Sequence, residues 1–167
     1  MLTVGVDTYV TVDEAEEYLK NLPLSSKISV YSNFLIQSPE IQENALKFSC
    51  LQLETLSYVG RKSNPDQILS FPRYIPPHSP TDEVPLLIKY AQIELAAALC
   101  DSKSIEKKAF YDNLKSYGIK SYSMGNLSET FASSGAALSC ATSAENLISA
   151  RARQYVQPFL VKGVSIR

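Results

Sequence analysis

The side chains best suited to chemistry stand close together, in the stretch Gly60-Arg61-Lys62-Ser63-Asn64-Pro65-Asp66-Gln67-Ile68-Leu69-Ser70-Phe71-Pro72-Arg73. Arg61 and Arg73 can each form a bidentate pair with a carboxylate or a phosphate. Phe71 and the following Tyr74 carry ring faces on which a nucleobase could stack. With Lys62, this set fits two tasks: contact with an acidic protein surface, or contact with a single nucleic-acid strand. Other candidates are weaker. His78 is the only histidine and falls in a Pro-rich stretch, so metal ligation and His-based catalysis lack their usual residue. Cys50, Cys100 and Cys140 are far apart with no paired spacing, and read as reduced, small hydrophobes. Asp13, Glu14, Glu16 and Glu17 are four acids in two turns, which suits the positive end of a helix. No cleft or partner residue turns them into an acid–base pair. The residues predict neither catalytic nor metal-binding chemistry, and no cofactor.

The elements around that stretch follow from local signals. Ser38-Pro39-Glu40 combines a cap residue, Pro at the first helical position and an acid in the first turn, and predicts a helix over 38–59. Leu46, Cys50, Leu53, Leu56 and Ser57 recur at helical spacing as its buried stripe. Gly60 stands where that helix should stop. Asn64-Pro65-Asp66 is a turn, and Phe71-Pro72-Arg73 an extended segment, because the residue before Pro is kept out of the helical region. Pro76, Pro77 and Pro80 prolong it. Asp82-Glu83-Val84-Pro85 opens a second long helix to about 100, with Ile88, Ala91, Leu95 and Leu99 on one face. Ala96, Ala97 and Ala98 allow a close neighbour. The two helices form a hairpin joined by a long ordered loop.

Elsewhere, residues 1–10 read as an extended arm. Thr11-Val12-Asp13-Glu14 is a capping box that starts a helix over 11–20. Residues 21–37 read as a Ser-rich connection. Ser104 to Tyr117 is weakly helical, with Ile105, Phe110 and Leu114 apolar and Gly118 ending it. Residues 119–131 alternate around Gly125-Asn126 and predict a β-hairpin. Residues 132–143 are a small-residue linker. Thr142 or Ser143 should cap a last helix over 144–157, with Ile148, Ala152, Tyr155 and Phe159 on one face and Pro158 near its end. The expected fold class is mainly α: a helical bundle over 1–131 with one small β-hairpin, the linker, and a C-terminal helical arm over 144–167.

At 167 residues the chain suits a single domain with a real core. Its 16 basic and 17 acidic side chains nearly cancel, whereas tight nucleic-acid binding favours a basic surplus. The balance is uneven along the chain. Residues 1–60 hold 3 basic and 8 acidic side chains, and residues 144–167 hold 4 and 1. An acidic face and a basic tail seek complementary partners. No signal peptide and no membrane-spanning run is expected.

The order of these motifs resembles a known family. Tyr58-Val59-Gly60-Arg61, Asp66-Gln67-Ile68-Leu69, Phe71-Pro72-Arg73, Asp82-Glu83-Val84-Pro85 and Ala91-Gln92-Ile93-Glu94-Leu95-Ala96 are similar, in that order, to tailed-phage head–tail connector (adaptor, head-completion) proteins, often labelled DnaT-like single-stranded-DNA-binding proteins. The opening Tyr9 to Leu19 and the later Ile119 to Phe131 resemble the same family. Trp often stands in that family where this chain has Tyr58 and Phe71. Segments 102–118 and 132–143 match it poorly.

The resemblance implies a structural adaptor of the virion neck, made in the host cytoplasm. It implies a homo-oligomeric ring, commonly twelve subunits, docked on the portal protein and meeting further neck or tail-completion proteins. Genomic DNA would pass through without sequence-specific binding. On that reading Arg61, Gln67, Phe71 and Arg73 serve loop or subunit contacts. The C-terminal segment embraces the portal through Arg153, Tyr155, Phe159 and Leu160. The alternative is a single-stranded nucleic-acid-binding module that uses Arg61, Lys62, Phe71, Arg73 and Tyr74.

Overall fold

In a computed structural model, described for residues 1–23, 28–75, 82–117, 121–124, 127–130 and 144–161, the Ala-rich segment forms the central helix of a mainly helical bundle. The helices are α1 (Val12–Asn21), α2 (Ser29–Leu35), α3 (Pro39–Glu54), α4 (Leu86–Leu99), α5 (Ser102–Ser116) and α6 (Ala150–Val156). Two small antiparallel ladders accompany them: β1 (Arg61–Lys62) with β2 (Arg73–Tyr74), and β3 (Ser121–Met124) with β4 (Leu127–Thr130).

Helix α4 is central because it is apolar on every side. Ala91 through Ala98 are all buried. The alanines let α2, α3 and α6 approach closely, and all three pack on it. Across the α3–α4 seam Leu46, Leu53, Ile88 and Leu95 are fully buried, as their helical spacing predicts. Leu99 is only half-buried. Two polar side chains on α4 are also buried, Gln92 and Glu94. Gln92 makes three hydrogen bonds in the core, using both amide donors and its carbonyl oxygen. It donates to Thr8 Oγ1 (2.8 Å) and the Leu46 carbonyl (2.9 Å), and accepts from the Tyr9 amide (2.9 Å). One side chain thereby ties the N-terminal segment to α3 and α4.

Several boundaries follow the sequence. At α1, Thr11 Oγ1 accepts from the Glu14 amide and Glu14 Oε2 accepts from the Thr11 amide, the expected capping box. The hairpin pairs Ser121 with Thr130 and Met124 with Leu127. Its turn, Gly118, the 132–143 linker with Cys140, and Pro76 to Pro80 with His78 lie outside the described residues.

Other boundaries differ. Helix α3 ends at Glu54, not near 59. The chain turns back there, and the Tyr58 hydroxyl donates to the Leu53 carbonyl (2.9 Å), which also accepts from the Leu56 amide (3.0 Å). Ser38 precedes Pro39 but its hydroxyl makes no cap bond. Helix α4 starts after Pro85 rather than before it. The Ser-rich connection contains α2, which buries Tyr31 and Phe34. Residues 1–10 turn at Gly5 and bury Thr8, Tyr9 and Val10. The last helix begins at Ala150, capped by Ser149, whose hydroxyl accepts from the Ala152 amide (3.2 Å), and a short 3-10 turn over Ala144–Asn146 precedes it. Among the described residues no helix is long and apolar enough to cross a membrane.

Segment 144–161 packs on the domain. Ala152 and Val156 are fully buried, and α6 lies along α4. Leu95→Ala should therefore cost roughly 2–5 kcal/mol in urea unfolding, and a chain ending at Ser149 should lose much of its cooperative transition. A truncated chain as stable as the full one would contradict this packing.

Candidate interaction surfaces

The loop from Tyr58 to Ile75 is built around Arg73. Gly60 reverses the chain with φ +79, and a Cβ there would lie 2.1 Å from the Tyr74 carbonyl oxygen, so only Gly fits. Strand β1 then pairs with β2, Arg61 opposite Tyr74 and Lys62 opposite Arg73. The Arg73 guanidinium donates to four carbonyls: Val59 (Nε, 3.0 Å), Gly60 (2.7 Å), Tyr58 (3.3 Å) and Ser70 (3.3 Å). A planar fork with several fixed donors can gather carbonyls this way; an ammonium cannot.

Gln67 holds the tip of the loop. Its Nε2 donates to the Leu69 (2.8 Å) and Pro72 (3.0 Å) carbonyls, and its Oε1 accepts from the Asn64 amide (3.0 Å). Lys62 Nζ donates to the Gln67 (3.1 Å) and Ile68 (3.0 Å) carbonyls. Phe71, joined to Pro72 by a cis bond, is buried edge-on against Tyr9, Tyr58 and Phe159. Beneath it Glu54 accepts from the Tyr9 hydroxyl and from the Ser70 amide (2.9 Å). The Phe71 amide donates to the Tyr9 oxygen (3.2 Å).

Gln67, Phe71 and Arg73 are thus brought together, as loop contacts. Arg61 stands apart, exposed, with its guanidinium 5.3 Å from the centre of the Tyr74 ring. Of the residues named for the alternative reading, Arg61 and Tyr74 stand together. Phe71 is buried, and Lys62 and Arg73 are engaged with carbonyls.

The C-terminal candidates also face their own domain. Phe159 lies edge-on to Phe71 at 5.6 Å. Leu160 bridges Tyr58 across the end of α3. The Tyr155 ring is 6.1 Å from that of Tyr90, and its hydroxyl is 3.3 Å from that of Tyr18. Arg153 is half-buried, and its Nε makes no hydrogen bond.

One cluster escapes the sequence reading. The buried Glu94 carboxylate accepts from the Tyr31 hydroxyl (2.9 Å) and the Tyr18 hydroxyl (3.2 Å). Arg151 donates to the Tyr31 oxygen (2.7 Å) and lies 3.5 Å from Glu94. These residues come from α1, α2, α4 and α6, so no local spacing announces them. The only sequence signal is an acid inside an apolar run. Burial, then the Glu94 charge, pushes the Tyr31 phenol up to about 12. Burial is likewise the main cause of raised phenols at Tyr9, Tyr18 and Tyr58. The Cys50 thiol is pushed up to about 12, chiefly by burial, which fits an inert core cysteine. Among the described residues no group of three or more His, Cys, Asp or Glu side chains could hold a metal ion.

Two surface features remain. Helix α3 carries a second apolar stripe on its outer side: Ile41, Phe48 and Leu51, all exposed. Between α1 and the start of α4 lies a cleft of about 560 Å³, walled by Tyr18, Tyr90 and Tyr155 and edged by Glu14 and Glu17.

The polar loop and the tyrosine cluster of this helical bundle serve its own cohesion. The chain belongs to the family described as "Putative DnaT-like ssDNA binding protein", whose model matches residues 2–166. No curated protein and no solved structure matches the chain.

Two outcomes test this geometry. Arg73→Ala should destabilise the fold by about 1–3 kcal/mol, because several carbonyls lose a shared donor, and should raise hydrogen exchange across 58–74. Free phenols ionise near pH 10. Tyr31, its phenol raised chiefly by burial, stabilises the fold fully below about pH 10, and that contribution is lost as pH climbs through about 12. Phenolate absorbance should therefore rise in separate steps, the later ones together with unfolding. One step near pH about 10 for all 10 tyrosines would contradict the buried cluster.

Proposed function

We propose that this chain is a structural adaptor of the tailed-phage neck. Copies form a ring on the portal, extend the DNA channel and present a surface to the next neck or tail component. The work is done by shape and interface, without covalent chemistry. The chain acts in the virion after assembly in the host cytoplasm.

The observation that carries this reading is the internal use of the loop. Arg73, Lys62 and Gln67 fix its carbonyls and Phe71 anchors it in the core. Such a loop is a rigid surface element rather than a groove for bases. The ordered series of connector-like motifs supports the reading, as does the near-neutral charge. The outer stripe of Ile41, Phe48 and Leu51 also supports it, since exposed apolar stripes suit contact with a neighbouring protein.

A second reading, single-stranded nucleic-acid binding, is favoured by the family's description and by the exposed Arg61 over Tyr74. A strand would meet only that one pair in the loop, beside an N-terminal third that holds 8 acidic side chains.

The discriminating experiment mixes the purified chain with portal protein from the same phage and, separately, with a fluorescent single-stranded oligonucleotide. The adaptor reading expects a stable multi-subunit complex on the portal. It expects strand binding no tighter than about 10 μM at physiological salt, the range of non-specific contacts. Nanomolar strand binding with a steep salt dependence, and no portal complex, would replace it with the second reading.

A further inference from the structure

We propose that the cleft between α1 and α4 receives an arginine side chain from a second copy of the chain, and that Arg61 is that arginine. The proposal rests on the ring reading above and names one of its subunit contacts.

The cleft has the chemistry of a guanidinium site. Tyr18 and Tyr90 stack at 4.4 Å with an interplanar angle of 24°, and Tyr155 is 6.1 Å from Tyr90. The hydroxyls of Tyr18 and Tyr155 meet each other, and that of Tyr18 donates to Glu94. Those groups are already engaged, which leaves aromatic surface to the cleft. Aromatic faces attract cations, and planar guanidinium most readily stacks on them.

Charge points the same way. Glu14 is neutralised by Lys89 at 3.2 Å. Glu17 lines the cleft with no ion pair or hydrogen bond among the described residues, and Asp13 stands one turn before it, exposed. A net negative edge repels phosphate, so a nucleic-acid strand is a poor occupant despite the tyrosines. It favours a cation delivered by a protein.

The arginines of the chain itself narrow the donor. Arg73 is engaged with carbonyls, Arg151 with Tyr31 and Glu94, and Arg153 is half-buried. Among the described residues Arg61 is the exposed arginine without a carboxylate or carbonyl partner. No residue of the 58–75 loop lines the cleft of its own chain. The donor loop therefore comes from another copy. A contact in which one surface meets a different surface of the next copy is heterologous, and it closes into a ring when the rotation allows.

The test is a charge exchange at two exposed positions that the fold does not need. Glu17→Arg, Arg61→Glu and the double variant are assembled on portal protein and measured by mass photometry at low and high salt. Circular dichroism checks that each variant is folded. Each single change should weaken subunit association at least about tenfold, and the double variant should recover to within about threefold of the natural chain. Single variants that assemble normally, or a double variant no better than the singles, would overturn the contact. The adaptor reading would then still stand if the natural chain forms its ring. Failure of the natural chain to form any ring would remove the adaptor reading itself, and the contact with it. Loss of oligonucleotide binding in Arg61→Glu with unchanged assembly would assign Arg61 to nucleic acid and overturn the proposal.

Discussion

A helix buried on every side must satisfy each polar group it carries, because an unpaired buried polar atom costs more than a hydrogen bond returns. Helix α4 carries two. Gln92 needs an acceptor pair and a donor, and finds them in Thr8, the Leu46 carbonyl and the Tyr9 amide. Glu94 needs donors, and finds Tyr31, Tyr18 and Arg151. These two demands fix where the N-terminal segment, α1, α2, α3 and α6 must lie. The surrounding apolar contacts supply most of the cohesion. The polar pair gives it a single arrangement, since a shifted helix would leave one of these groups without partners.

The same logic explains the loop. Residues 58–75 contain little regular structure, so their carbonyls lack ladder partners. Arg73 collects four of them, Gln67 two, and Lys62 two more. Phe71 and Glu54 then fasten the loop to the core through Tyr9. Residues that look from their types like a nucleic-acid surface become the skeleton of an irregular segment.

Features held by neighbouring residues were legible in the sequence. The capping box at Thr11 to Glu14, the pairing of the hairpin and most of the apolar stripes of α3 and α4 act over a few positions and appear, while Ser57 is exposed past the end of α3 and Leu99 is half-buried. Features decided by distant partners were not. Helix α2 has seven residues and no side-chain cap, and exists because Tyr31 and Phe34 are drawn into the core. The end of α3 is set by Tyr58 folding back on Leu53. The sequence presents the last helix as an arm set off by a Ser/Ala-rich stretch, with a short apolar stripe. Only the depth of Ala152 and Val156 against α4 shows it to be part of the bundle. For the candidate site, type and position were legible, but not direction. The sequence places Gln67, Phe71 and Arg73 in one loop and does not show that they point inward.

What is left outward bears on how the protein works. Several charged groups among the described residues have no ion pair or hydrogen bond inside the chain. Arg61 on the loop and Glu17 at the cleft are two, opposite in sign and on different elements. Apolar surface remains on the outer side of α3. Here the enclosed polar groups serve cohesion, and the unsatisfied ones are distributed over separate faces. Such a distribution suits a molecule that meets different neighbours on different sides. On the adaptor reading proposed above, the apolar area on α3 serves adhesion and the exposed charges set the register in which copies meet.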